Sequence, residues 1–465
     1  MATAAYQIEG AWNADGKSPS IWDTFTHAGK SFRGQTGDAA CEHYTRFRED
    51  VGLMAELGVT SYRFSVSWAR VLRDGTGEIN EKGLQFYSDL VDELLRRNIK
   101  PFVTLYHWDM PQSVYEQGGF SDRKIVSLFA RYVTAVVEKL GDRVKDFVTI
   151  NEPQCVLHGG LFSDALAPGV RLSVGELLQC AHNLLLCHGE AVRILREKVK
   201  NVKIGIALCG WVSCPLYPTE ENERVAYRDF FAVRRDEPMN CMSVLGDAVY
   251  LGDYPREYYE YFRDVLPDIR EGDLQSISRP LDYVCQNIYS GMRIGPDGKY
   301  ARWPDGSPQN SFGWDDLPEC VYWCLKFLYR RYSLPVVITE NGVAQNDRVC
   351  LDGKVHDCYR IDGTARFLSE MKRAAAEGVP VRGYYHWSLL DNFEWKAGFS
   401  QRFGLVYVDY ATQKRIKKDS FAFYRQVIAT DGACIAAGQA PAGQGCSARQ
   451  GGLSKRSPMP KGEGR

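Results

Sequence analysis

Short runs of β-branched, aliphatic and aromatic residues recur along the chain, each followed by a longer stretch whose apolar residues return every three or four positions. Runs of the first kind predict strands at Ser61 to Ser65, Pro101 to Leu105, Phe147 to Asn151, Lys203 to Leu208, Tyr283 to Asn287, Val336 to Thr339 and Val381 to Trp387, with Ala4 to Ile8 as an eighth. Between them, Tyr44, Phe47, Val51, Met54 and Leu57 fall on one helical face, as do Phe129, Val133, Val136 and Leu140. Strands alternating with helices require right-handed crossovers and hence a parallel sheet. Eight such units, without a Gly-rich phosphate turn after the first strand, predict a closed (β/α)₈ TIM barrel rather than an open doubly wound sheet. One catalytic-sized unit over residues 1–431 results, in which Asp229 to Pro280 decorates the mouth.

Composition changes this picture only at the end of the chain. The 465 residues are 45% hydrophobic and 25% charged, which is ordinary for a globular protein. From Gly432 onward Gly, Ala, Pro, Ser and basic residues dominate, so 432–465 is read as a disordered tail unable to offset its ordering entropy. A net charge of -1 provides no field for a nucleic-acid or acidic-membrane partner. No apolar run approaches the ~18 residues of a membrane span, and the first residues lack a secretory signal, so a cytoplasmic location is expected. The 14 cysteines fall mostly inside apolar segments and are read as reduced core residues. Neither they nor the 8 histidines form a metal-ligand motif, and no metal or organic cofactor is expected.

Candidate chemistry gathers where the strands stop. Glu152 follows Phe147 to Asn151, and Glu340 follows Val336 to Thr339, which places both acids at the end of a barrel where active sites are built. A protonated and an ionised carboxyl group in one cleft are what glycoside cleavage with retention requires. Arg63 ends another strand and can hold one acid ionised, while the Asn151 amide can meet a sugar hydroxyl. Aromatic residues flanked by polar ones, in Tyr106-His107-Trp108-Asp109 and from Trp387 to Trp395, suit the flat apolar face and hydroxyl edge of a sugar ring.

The segments Tyr6-Gln7-Ile8-Glu9-Gly10, Tyr62 to Trp68, Tyr106 to Asp109, Thr149-Ile150-Asn151-Glu152-Pro153, Ile338-Thr339-Glu340-Asn341-Gly342 and Trp387 to Trp395 together closely resemble family 1 of the glycoside hydrolases, from about Ala2 to Val427. The resemblance implies a retaining β-glucosidase, extending to β-galactosides and β-fucosides, with a β-glycoside or oligosaccharide as substrate. By carry-over, Glu152 is the acid/base and Glu340 the nucleophile, held by Arg63 and Tyr289. Gln7, His107, Trp108, Asn151, Asn287, Trp387, Glu394 and Trp395 would bind the sugar. Trp314 would floor the leaving-group site, and Phe403 would wall the sugar pocket.

Three details bear on subfamily. Glu394 argues against a 6-phosphorylated sugar, because a carboxylate there repels a phosphate. Glu152, rather than the Gln of plant-type thioglucosidases, argues for ordinary O-glycosides. Gly160 to Leu166 departs from the family's usual loop, which puts leaving-group preference outside the resemblance. The chain also starts inside the family's first strand, so a truncated strand is expected, and with it a competing reading as a catalytically impaired or binding-only member.

Overall fold

The computed structural model describes residues 1–435. Seven parallel strands follow one another around the sheet in chain order: β1 (Ser61–Ser65), β2 (Lys100–Tyr106), β3 (Asp146–Asn151), β4 (Lys203–Leu208), β5 (Val284–Asn287), β6 (Val336–Asn341) and β7 (Val381–His386). Strands β2 to β6 are buried almost throughout, which explains why they read as unbroken apolar runs rather than as alternating ones. Phe102, Val148, Ala207, Cys285 and Val337, one from each of these strands, form a separate cluster that fills the barrel. Around it, helices such as His43–Leu57, Ile125–Leu140, Val174–Lys198 and Glu319–Tyr332 turn their apolar faces inward. Phe47, Val51, Met54 and Leu57 are buried as their spacing requires, and Tyr44 is half-buried. Two of these helices begin where a polar side chain can cap them; Ser173 and Glu176 exchange a capping box at the start of Val174–Lys198.

The eighth strand differs from expectation. Ala5–Ile8 is a single helical turn, whose Glu9 N–H donates to Ala5 O at 2.9 Å. The closing backbone lies just before it. Ala2 N–H donates to His386 O (3.0 Å), Thr3 N–H to Arg63 O (3.0 Å) and Arg63 N–H to Met1 O (2.8 Å), so three residues join β7 to β1. The chain must then turn, because Ala5 N–H is drawn to Ser65 Oγ at 2.7 Å and Tyr6 packs between Trp22, Phe393 and Trp395. These tertiary contacts override the strand-like pattern of Ala4 to Ile8. Expected truncation of the first strand thus corresponds to a seam joined only toward the C-terminal ends of its neighbours. Toward the other end, β7 is partly exposed, and a cavity of about 380 Å³ opens beside Met1, Ser61, Phe102 and Tyr385.

Register shifts between β3 and β4, β5 and β6, and β6 and β7 all fall near the C-terminal ends of the strands, beside Asn151, Asn287 and Asn341. Such irregularities re-aim side chains, here toward the barrel mouth. Of the decorating interval, Asp236 to Met242 contributes to the mouth, while the short helix Asp273–Ile277 packs on Val174–Lys198. Residues 432–435 continue from the last helix as a turn with Cys434 and Ile435 against the core. The expected tail from 436 to 465 lies outside the described residues. Among the described residues no helix is long and apolar enough to cross a membrane, and thirteen cysteines are unbridged.

A buried charge network holds the loop after β7. Asp391 accepts from Lys418 Nζ (2.6 Å), Arg402 (2.6 Å) and Gly404 N–H (3.0 Å), and Lys418 also pairs with Asp347, which Arg360 neutralises. Breaking a buried pair from one side leaves uncompensated charge and costs about 3–5 kcal/mol. Asp391→Ala is therefore expected to lose stability of that order in urea unfolding, and to lose it at every pH where Lys418 remains charged.

Candidate active site

One cavity of about 670 Å³ opens at the C-terminal ends of the strands, and Glu152 and Glu340 both line it. The two acids arrive from opposite directions with different neighbours. Arg63, wholly buried, donates to Glu340 Oε1 at 2.5 Å, to Thr339 O at 3.2 Å, to Asn151 Oδ1 at 2.6 Å and to Thr104 Oγ1 at 3.0 Å. Tyr289 O–H donates to the other Glu340 oxygen at 2.9 Å. Glu152 receives one side-chain donor from Asn287 Nδ2 at 2.8 Å, and no cation contacts it.

A hydrogen-bond chain fixes the remaining polar groups. With Asn151 Oδ1 committed to Arg63, its Nδ2 must donate to His107 Nε2 (3.0 Å). His107 Nε2 is therefore an acceptor, and the neutral ring carries its proton on Nδ1, a buried donor without a protein partner. Burial, with Arg63 nearby, holds the His107 pKa well below its ordinary value, in keeping with a neutral ring. Asn287 also donates to Asn151 Oδ1 (3.1 Å) and accepts from Thr339 Oγ1 (2.6 Å). Its amide is thus fully engaged by protein, making Asn287 a brace for Glu152 where direct sugar contact was expected. Gln7 Nε2 donates to Phe393 O (3.0 Å), Asn392 Oδ1 (3.2 Å) and Glu394 (3.3 Å), leaving Gln7 Oε1 as a buried acceptor with no partner. Unmet buried groups of this kind cost about 1–3 kcal/mol each, which a hydroxyl-rich ligand would recover.

Aromatic rings complete two walls. Trp387 lies nearly parallel to His107, and Trp395 contacts Trp108 with ring centroids 4.5 Å apart. Gly342 follows β6 at a point where a Cβ would stand 1.9 Å from Trp387 O, so only glycine lets the loop bring Trp387 in this close. Trp108, Glu152 and Trp395 all have positive φ, at 76°, 45° and 53°. For non-glycine residues this conformation costs of order 1 kcal/mol or more, and it persists here under surrounding packing. Across the cavity, Trp314 stacks on Phe312 (4.7 Å), and both approach Phe403, which is buried beside Tyr289. The expected residues therefore meet in one place, Gln7 just behind the lining. Trp211, Phe312, Phe230, Met242, Cys155 and Cys209 line the same cavity and were not singled out by sequence. For Trp211 a signal existed, an aromatic three residues past β4; the others belong to loops or to apolar stretches that read as core.

Three carboxyl groups share this space with one buried guanidinium. Burial raises the Glu152 pKa to about 7, reinforced by the Glu340 charge and only partly opposed by Asn287. Burial also raises Glu340, but Arg63 and Tyr289 oppose it strongly, so the proton of the pair resides on Glu152. Burial, then the Glu340 charge, raises Glu394 well above the carboxylate range, so it can donate a hydrogen bond at neutral pH. A folded-state pKa raised from 4.5 to about 7 means that stability is undiminished below pH 4.5 and is lost as pH climbs through 7. Glu152→Gln is accordingly expected to be more stable than the parent by a few kcal/mol at pH 8, with the gap closing at pH 4.5, in denaturant melts at both values.

The sequence model of glycosyl hydrolase family 1 matches residues 1–433. A β-glucosidase A of Thermotoga maritima is 44% identical over 438 residues, covering 93% of this chain and 96% of that protein. A bifunctional β-D-glucosidase/β-D-fucosidase of Bifidobacterium breve is 39% identical over 92% of this chain and 96% of its own length. The structure of a T. maritima β-glucosidase in complex with glucoimidazole superposes with a TM-score of 0.85 at 44% identity, covering 93% of this chain and 97% of that one.

Proposed function

Since the chain belongs to glycosyl hydrolase family 1, we propose that it hydrolyses terminal non-reducing β-D-glycosides with retention, acting as a β-glucosidase whose range extends to β-fucosides and β-galactosides. It is an O-glycoside hydrolase built on a (β/α)₈ barrel. The observation that carries the mechanism is the unequal treatment of two acids in one cavity, Glu340 held by Arg63 and Tyr289 and Glu152 kept protonated by burial.

In the first step Glu340 attacks the anomeric carbon while Glu152 gives its proton to the departing glycosidic oxygen, yielding a glycosyl-enzyme. With that ester formed, the Glu340 charge that helped raise Glu152 is gone. Glu152 then becomes the stronger acid of the new state and, as a carboxylate, takes a proton from the water that cleaves the intermediate. The free His107 Nδ1–H, the free Gln7 oxygen and protonated Glu394 supply two kinds of partner, donors and an acceptor, for sugar hydroxyls at the enclosed end. Asn151 and Trp395 sit among them, Trp387 offers a face for the ring, and Phe403 closes the side. Trp314, with Phe312 and Trp211, floors the opposite end as the leaving-group site.

Selection against a phosphorylated sugar takes a form different from simple repulsion. Burial keeps Glu394 neutral, so a phosphate would first have to be desolvated beside it. Lys396, the nearby cation in sequence, donates instead to Asp164 O (3.1 Å). The binding-only alternative lacks support, because both carboxyls face the cavity and the seam residues 1–3 are hydrogen-bonded on either side. A cytoplasmic location agrees with the thirteen unbridged cysteines.

Hydrolysis of aryl β-glucoside, fucoside, galactoside and 6-phosphoglucoside should rank the unphosphorylated glucoside and fucoside first and the phosphate last. Glu340→Ala should lose turnover altogether, and Glu152→Ala should lose about 10²–10⁴-fold on substrates whose leaving group needs protonation. Residual wild-type turnover in Glu340→Ala would refute the assignment. For the wild type, kcat/KM should fall as pH rises through about 7, where Glu152 loses its proton, and fall again in acid as Glu340 gains one.

A further inference from the structure

Two thiols stand beside Glu152 on the leaving-group side, and the glycosidase chemistry uses neither. Cys155 opens the π-helical segment Cys155–Phe162, one turn after Glu152, whose carbonyl accepts from Cys155 N–H at 3.0 Å. Cys209 comes from the adjacent strand, directly past β4, and Glu152 N–H is tied to that strand through Ala207 O at 2.7 Å. The two sulfurs are 3.6 Å apart. A Glu152 carboxyl oxygen and both Sγ atoms all lie within 4.8 Å of one another, and all three residues line the cavity.

We propose that Glu152, Cys155 and Cys209 form a site for a soft or borderline divalent cation of the zinc and cadmium class, and that occupancy switches hydrolysis off. Geometry favours a metal over other uses of the pair. Two thiolates bound at about 2.3 Å to a tetrahedral ion stand roughly 3.8 Å apart, close to the spacing already present, whereas a disulfide at about 2.05 Å needs the sulfurs to converge. Two thiolates and one carboxylate make three ligands, and the fourth position faces the cavity, where water or an alcohol can sit. The Gln154 side-chain oxygen, 3.8 Å from Cys209 Sγ, lies at the rim of the cluster.

Binding displaces protons. Each thiol loses one as its S–metal bond forms, and Glu152 loses the proton it holds at neutral pH, so the released protons pass to solvent and no electron moves. Burial raises the Cys155 thiol, already pushed up by its contact with Cys209, and Cys209 is raised to about 11. Affinity must therefore climb steeply with pH, by up to about 100-fold per unit where two protons are released. The enclosed sugar end keeps its Gln7, His107 and Glu394 groups, but Glu152 has no proton to give the leaving oxygen.

The proposal rests on reading Glu152 as the acid, and two readouts separate the failure of one from the failure of the other. Cadmium chloride is titrated into the full-length, chelator-treated protein, following thiolate-to-cadmium absorption in the ultraviolet together with aryl β-glucoside turnover, each variant normalised to its own metal-free rate. Wild type should be inhibited reversibly, with recovery on adding EDTA. Cys209→Ser and Cys155→Ser should each need at least 20-fold more cadmium for half-inhibition and lose thiolate absorption, while Cys358→Ser, an exposed thiol outside the cavity, should behave as wild type in turnover. Undiminished sensitivity in both cavity variants overturns the proposal, as does sensitivity to the disulfide-forming oxidant diamide in place of cadmium. Loss of absorption in the two variants without any β-glycoside turnover in wild type would leave the metal site standing and remove the glycosidase reading instead.

Discussion

A single guanidinium organises the floor of the cavity. Arg63 leaves β1 and reaches side chains or carbonyls on β2, β3 and β6 while sealed from solvent. A buried charge without compensation would be prohibitive, so the fold is obliged to deliver Glu340 to it, and the fixed fork of donors then dictates the orientation of Asn151. From there the constraint passes outward by hydrogen-bond arithmetic alone. The Asn151 amide selects the His107 tautomer, and Asn287, sharing the same Asn151 oxygen, braces Glu152. Substituting lysine would keep the charge and lose the fork, leaving Asn151 free to flip.

The contrast between the two glutamates follows from the same source. Both sit in places that penalise charge, and only one is compensated. Their difference is relational, since part of what lifts Glu152 is the charge that Arg63 preserves on Glu340. An environment of this kind is costly to the folded state, as are the left-handed backbones at Trp108, Glu152 and Trp395. The barrel supports that cost elsewhere, in the Phe102-to-Val337 plug and in the Asp391, Lys418 and Arg402 network that anchors the loop carrying Trp387 through Trp395.

Much of this was legible in sequence, because strand ends announce themselves. Seven β-branched runs located seven strands within a residue or so, and each polar residue directly following one arrived at the mouth. Ala4 to Ile8 misled because its neighbours Ser65, Trp22 and Trp395, distant in sequence, decide its conformation. The engaged amide of Asn287 was equally out of reach, as pattern reveals that an amide stands at a strand end and says nothing of what it bonds. Cys155 and Cys209 are 54 positions apart, with no ligand spacing to mark them; only the pairing of β3 with β4 makes them neighbours. The leaving-group wall escaped for a related reason. Phe230 and Met242 read as core, and their exposure to the cavity depends on loop paths that hydrophobic periodicity does not encode.

The seam between β7 and β1 gives the barrel a direction in which to come apart. Elsewhere adjacent strands share four or five paired positions, but here closure depends on residues 1–3, with an open cavity below them. Local opening at such a join requires few hydrogen bonds to break and little core to be exposed, so its free energy lies below that of global unfolding. The residues that flank it are Arg63, Trp387 and, four positions on from Thr3, Gln7. A fluctuation there would dismantle the sugar-binding end while six strands stay paired, making the working state of this protein a narrower ensemble than its folded state.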